Sequence, residues 1–136
     1  MTLMPPLAAV MLTAGLCGLI ALWLMAHVGR MRDTLSIPMG DGGHPRMIRA
    51  MRGQANFIEF VPLTLVFMVL LALSGWGTLV LYAIGAALVV GRFLHALHFT
   101  AADAPRWQRS GGAALSGLAV LACTVLLLVT WAGMVF

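Results

Sequence analysis

Residues 60–91 read FVPLTLVFMVLLALSGWGTLVLYAIGAALVVG and contain no Asp, Glu, Lys or Arg. A helix crosses the roughly 30 Å hydrocarbon core of a bilayer with about 20 residues at 1.5 Å each. The stretch is therefore too long for one span and too short for two. Its middle, Ser74-Gly75-Trp76-Gly77, is made of turn-forming residues. A helical hairpin that turns at 74–77 resolves the conflict, with both arms running outward into charged flanks.

Working outward, residues 1–29 and 110–136 are also free of charge. The eight basic and four acidic residues all lie within 30–59 and 92–109. The spacing predicts helices at about 5–29, 46–73, 77–99 and 109–135, in a single transmembrane domain over residues 1–136. The fold class is all-α, an integral membrane four-helix bundle. Only 9% of residues are charged, against roughly 25% in soluble domains. With 62% hydrophobic residues in so short a chain, lipid must solvate much of the surface. A soluble enzyme, a disordered tail and a nucleic-acid module are all excluded. The net charge of +4 reports membrane topology: both termini fall on one side and all the arginines on the other, which the positive-inside rule makes cytoplasmic. Every basic residue is Arg, as a GC-rich coding bias produces. Met1-Thr2-Leu3-Met4 lacks the positive region of a cleavable signal peptide, so the first run reads as a permanent span with periplasmic termini.

Three minor features carry expectations. Gly40-Asp41-Gly42-Gly43 reads as a plain loop, although a glycine-rich loop can also cradle an anion. Ala83, Ala87 and Gly91 form a small-residue ridge suited to close helix packing. Cys17 and Cys123 lie in apolar runs and read as inert buried thiols.

The chemistry concentrates at the start of the second helix. Arg49, Arg52, Asn56 and Glu59 share one face about 80° wide at 100° per residue, while Phe57 and Ile58 point elsewhere and Gln54 sits off the stripe. Counted from Ser74, Glu59 lies about 22 Å into the slab; counted from Gly77, Arg92 reaches the same depth. A carboxylate there needs a partner. Arg92 is the expected one, either directly or through a shared ligand. A packing network is the plain alternative. Yet Arg49, Arg52, Arg92, Arg106 and Arg109 together exceed what one carboxylate neutralises, which calls for an anionic ligand from the cytoplasm. Arg92, His95 and Phe99 share a face of the third helix. His27, His95 and His98 lie near one boundary rather than as facing pairs within spans, which argues against haem; no metal is expected.

Taken together, Arg52-x-Gln54-x-Asn56-x-x-Glu59-Phe60-x-Pro62 and Gly91-Arg92-x-x-His95, preceded by the Gly40–Gly43 loop, resemble the membrane-associated proteins in eicosanoid and glutathione metabolism, the MAPEG family, in its bacterial branch. The resemblance covers most of the chain. It implies a homotrimer in the bacterial inner membrane, with glutathione as co-substrate bound between subunits near the cytosolic face. It implies that Arg49, Arg52, Asn56, Glu59, Arg92 and His95 belong to the glutathione-binding cluster. An arginine at the start of the fourth helix would stabilise the thiolate. Arg109, followed by Ser110 as in the prostaglandin-forming members, is the first choice; the spacing from Arg92 in the leukotriene-forming member favours Arg106. A free thiol is mostly protonated at neutral pH, and an adjacent guanidinium favours the thiolate. The partner substrate would be a lipophilic electrophile arriving from membrane lipid, making the chain a glutathione-dependent transferase or peroxidase. Phe60 and Phe99 stand where several active members carry tyrosines that touch glutathione. The family also has a non-enzymatic lipid-binding member, so the alternative is a non-catalytic protein that binds a lipid or anionic ligand. A small multidrug exporter would need an acidic residue in the first span, which has none.

Overall fold

Four helices follow one another in the computed structural model, which describes residues 5–136. They are α1 (Pro5–Leu35), α2 (Pro45–Leu73), α3 (Thr78–Thr100) and α4 (Arg106–Val135). Met1–Met4, and with them the expectation about a signal peptide, lie outside the described residues. The short connections make sequential helices antiparallel neighbours. Each helix is long and apolar enough to cross a membrane. The membrane four-helix bundle expected from the charge pattern is thus the observed fold.

The helix ends depart from expectation in one direction. α1 continues to Leu35, past Arg30, Arg32 and Asp33, and α4 begins at Arg106 instead of near 109. Charged residues mark where hydrocarbon stops, whereas a helix stops only where the backbone is broken. For α1 the break is Ser36, in the left-handed region at φ 54°. There Ile37 N–H donates to Arg32 C=O at 3.0 Å and Ser36 N–H to Asp33 C=O at 3.3 Å, the paired bonds of a Schellman cap. At 31 residues α1 measures about 46 Å, so its last turns overhang the slab. For α2, Pro45 occupies the first turn, where its missing N–H costs nothing, and His44 Nδ1 accepts from Arg46 N–H at 3.3 Å.

α2 and α3 form the centre. Each touches the other three helices, while among the described residues α1 and α4 make no contact. The main core joins Val10, Cys17 and Leu24 of α1 to Phe57, Met68 and Leu71 of α2 and Leu81 and Leu88 of α3. Outward-facing Leu118, Leu121, Val125 and Leu128 leave α4 largely apolar and exposed, as a lipid-facing helix is. Cys17 and Cys123 are buried and free, on the two helices that do not meet.

Helix α3 lies closest to α4 where two glycines oppose each other. A methyl group on Gly112 would lie 2.6 Å from the Gly91 carbonyl oxygen and 2.8 Å from the His95 amide nitrogen. Both obstacles are backbone, so neither can rotate away. Of the expected small-residue ridge, Gly91 makes this contact and Ala87 packs on the core, but Ala83 is exposed. The ridge is oblique to the interface and only its lower end serves it. Gly112→Ala should therefore destabilise by about 1–3 kcal/mol, the range for overpacking. Gly117→Ala, which meets nothing within 4 Å, should be neutral or slightly stabilising. Thermal unfolding of the two variants in detergent checks both, and equal midpoints would refute the close-approach reading.

Candidate functional site

The site is built around a buried arginine. Arg92 of α3 is 1% exposed and sits where α2, α3 and α4 converge. Its Nε donates to Ser116 Oγ of α4 at 2.6 Å, and its Nη1 to Asn56 Oδ1 of α2 at 2.9 Å. Nη2 reaches toward the Gly112 carbonyl at 3.5 Å, and the guanidinium lies 4.8 Å from the centre of the Phe60 ring. Ser116 passes the bond on, its hydroxyl donating to Gly112 C=O at 2.8 Å. A buried guanidinium must be satisfied in this way, because an unpartnered charge in a low-dielectric interior is very costly.

Glu59 is reached through an amide. Because Asn56 Oδ1 is taken by Arg92, only Nδ2 is left to face Glu59, and it donates to Oε2 at 3.4 Å. The expected direct pairing of Arg92 with Glu59 is thus replaced by a relay. Depth alone matched the two residues, but their positions around the bundle differ, and Asn56 fills the gap. Glu59 itself is exposed on the protomer.

Two clefts open beside this relay. The smaller, of about 350 Å³, is lined by Arg52, Asn56, Glu59, His95, Phe99 and Arg109. The larger, of about 600 Å³, is lined by Arg49, His98, Ala104, Arg106, Arg109 and Ser110. Arg109 borders both, so they adjoin. Their volumes fall within the roughly 300–1,000 Å³ of small-molecule sites. Four arginines face one carboxylate, and the first turn of α4 contributes its free N–H groups and positive dipole end. Such an arrangement suits a ligand with several anionic groups and one cationic group.

The structure brings the sequence-predicted residues to one end of the bundle. Arg49, Arg52, Asn56 and Glu59 line the clefts as the 100° arithmetic places them, with Phe57 buried in the core and Ile58 60% exposed on the outer surface. His95 is buried with its ring 4.7 Å from that of Phe99, and the Arg49 guanidinium lies 5.6 Å from the centre of the same Phe99 ring. Both Phe60 and Phe99 therefore stack against cations or imidazole without needing a hydroxyl. The Ser110 hydroxyl is turned back on its own helix, toward the carbonyls of Arg106 at 3.3 Å and Trp107 at 3.4 Å.

Two contributors escaped the sequence reading. Ser116, the Arg92 partner, is a single hydroxyl in an apolar helix and has no local signature. His98 lines the larger cleft and ties the end of α3 to the next turn, its Nδ1–H donating to Pro105 C=O at 3.2 Å while its own carbonyl accepts from Arg49. Its position near the membrane boundary was the only signal. The Gly40–Gly43 loop holds no anion cradle. Arg32 Nη1 donates to the carbonyls of Gly40 at 2.9 Å and Ile37 at 3.3 Å, and Gly43 N–H is spent on Asp41 Oδ1 at 2.9 Å. The loop turns oxygens, not N–H groups, toward its neighbour.

Comparison with known proteins agrees with a membrane protein of this fold. The MAPEG family matches residues 10–129, from the first span to near the end of the fourth. The chain is similar to the inner membrane protein YecN of Escherichia coli strain K12, with 31% identity over 100 residues, 74% of this chain and 76% of that protein. The protein of the same name in Escherichia coli O6:H1 strain CFT073 matches equally, at 31% over 100 residues. Four spans, a polar relay at one end and a match over most of the length lead to one conclusion: the chain belongs to the MAPEG family.

Proposed function

We propose that the protein is a bacterial inner-membrane transferase or peroxidase that uses glutathione against hydrophobic electrophiles from the lipid phase. The observation that carries this is the pair of adjoining clefts, whose combined lining holds Arg49, Arg52, Arg106 and Arg109 but a single carboxylate, Glu59. Glutathione offers two carboxylates for the arginine forks and one ammonium for Glu59. Its thiol then needs a guanidinium to hold the thiolate. Arg109 suits that role because it borders both clefts, whereas Arg106 borders only the larger. In conjugation the thiolate sulfur forms a bond to the electrophilic carbon and the leaving group departs with the bonding pair. The protein supplies proximity and charge stabilisation.

The same reading takes the protein as a homotrimer, the assembly that the family resemblance implies, and the exposure of the site supports a neighbouring copy. Glu59 and Arg52 are exposed on the protomer, yet Glu59 lies about 21 Å along α2 from Leu73, still inside the hydrocarbon slab. Ionised groups at that depth are not left facing lipid tails. A second copy of the chain closing the open side of the cleft would shield them and complete the glutathione site. In this reading the positive-inside rule puts the arginine-rich end in the cytoplasm and the opposite end in the periplasm.

A second reading, non-catalytic binding of a lipid or anionic ligand, is favoured by Phe60 and Phe99, whose rings carry no hydroxyl toward a ligand and are engaged by Arg92, His95 and Arg49. One experiment separates the two. Purified protein in detergent, heated with glutathione from zero to 10 mM, should show a saturable rise in melting midpoint, since a ligand bound only by the folded state stabilises it by about 2.7 kcal/mol at 100 times its Kd. Turnover of 1-chloro-2,4-dinitrobenzene, with chloride released, should accompany it. Absence of both would sink the enzyme reading and leave the non-catalytic one.

A further inference from the structure

We propose that a third cleft, on the other side of Arg49 and Phe99, binds the phosphate group of an anionic ligand at the membrane surface. The cleft has a volume of about 390 Å³ and is lined by His27, Met31, Arg46, Arg49, Phe99 and Thr100, with Ala101 and Ala102 at its end. It lies between α1, α2 and α3, apart from the α4 residues that border the two glutathione clefts. Arg49 and Phe99 form the wall between them, because Arg49 also lines the larger of those clefts and Phe99 the smaller.

Three observations point to a phosphate. Two guanidinium groups line the cleft and no carboxylate does, so its charge is uncompensated. Arg49 is incompletely satisfied: its Nη2 donates to the His98 carbonyl, but its Nε is buried without a hydrogen-bond partner. A buried donor without an acceptor is costly, and a turn of the guanidinium toward a ligand oxygen in the cleft would relieve it. Depth is the third. α3 runs 23 residues, about 34 Å, so if Thr78 lies at one boundary of the slab then Thr100 lies at the other. The cleft thus sits at the level of lipid headgroups, where phosphates are concentrated. Arg forks donate to phosphate oxygens in a bidentate manner, and the Met31 and Phe99 side chains offer an apolar wall to a glycerol backbone.

The source is either a membrane lipid or soluble phosphate, and native mass spectrometry in detergent separates them. Wild-type protein is titrated with dioleoyl phosphatidylglycerol, dioleoyl phosphatidylcholine or inorganic phosphate, alongside an Arg46→Gln variant. Arg46 is exposed, so the variant keeps its fold. Arg46 also lies outside the glutathione clefts, so its melting response to glutathione should be unchanged, and failure here leaves the glutathione reading standing. The expected result is saturable phosphatidylglycerol binding, weakened about tenfold in Arg46→Gln, as loss of one charged hydrogen bond gives. Displacement of that lipid by millimolar inorganic phosphate, with a matching rise in melting midpoint, would support the phosphate site and identify the soluble anion as its ligand. Equal binding of the anionic and zwitterionic lipids, or unchanged affinity in Arg46→Gln, would overturn the proposal.

Discussion

Arg92→Ala is expected to destabilise the protein by about 2–5 kcal/mol, from the charged hydrogen bonds lost and the cavity left by a large buried side chain. The guanidinium joins α2, α3 and α4 at one point, through Asn56, Gly112 and Ser116. Truncation empties the volume of a fully buried arginine and leaves Asn56 Oδ1 facing a void. Arg92→Lys restores charge but not the fork, since one ammonium cannot reach Ser116 and Asn56 in the same geometry. Its melting midpoint in detergent should fall between those of Arg92→Ala and wild type. The glutathione response adds a second readout. With Asn56 released, its amide can rotate and Glu59 loses its fixed donor, so even the folded fraction should respond more weakly. A midpoint for Arg92→Ala within experimental scatter of wild type would refute the junction role.

Arg109→Ala should separate binding from chemistry. On the proposed reading the other three arginines and Glu59 would still hold the tripeptide, so the saturable melting shift should persist. Turnover should fall about 100-fold or more, the usual consequence of removing one donor from a developing or stored anion. Arg106→Ala should lower affinity with a smaller effect on kcat, because Arg106 borders only the larger cleft. The kcat-against-KM split in the two variants is the measurement. If Arg109→Ala turns over like wild type while Arg106→Ala does not, the thiolate-stabilising role belongs to Arg106.

How much of this was legible beforehand depended on whether the signal was local. The spans could be read because apolar helices must be contiguous in hydrocarbon, and the hairpin at Ser74–Gly77 because 60–91 fits neither one span nor two. The stripe of Arg49, Arg52, Asn56 and Glu59 could be read because helical periodicity alone determines its direction. Helix ends could not, because hydropathy reports the membrane boundary and not the backbone cap at Ser36. Nor could the partner of Arg92. Rise per residue gives depth, but which side of a neighbouring helix a group meets depends on packing, and so Asn56 and Ser116 took the place assigned to Glu59. The glycine loop is a similar case. Composition allowed an anion cradle, but the direction of its carbonyls, toward Arg32, is set by a contact outside the loop.

The junction at Arg92 also constrains biosynthesis. An arginine within a span costs about 2.5–3.5 kcal/mol at translocon insertion. Asn56, 36 positions earlier, has already emerged when Arg92 does, whereas Ser116 follows 24 positions later. The short link between α2 and α3 lets the two enter the bilayer as a pair, with the amide already beside the guanidinium. A nascent chain halted after α3 would leave that guanidinium only partly hydrogen-bonded, and arrival of α4 would supply its remaining acceptors. The fourth helix, arriving after the other three, is therefore the one that commits the arginine to the membrane.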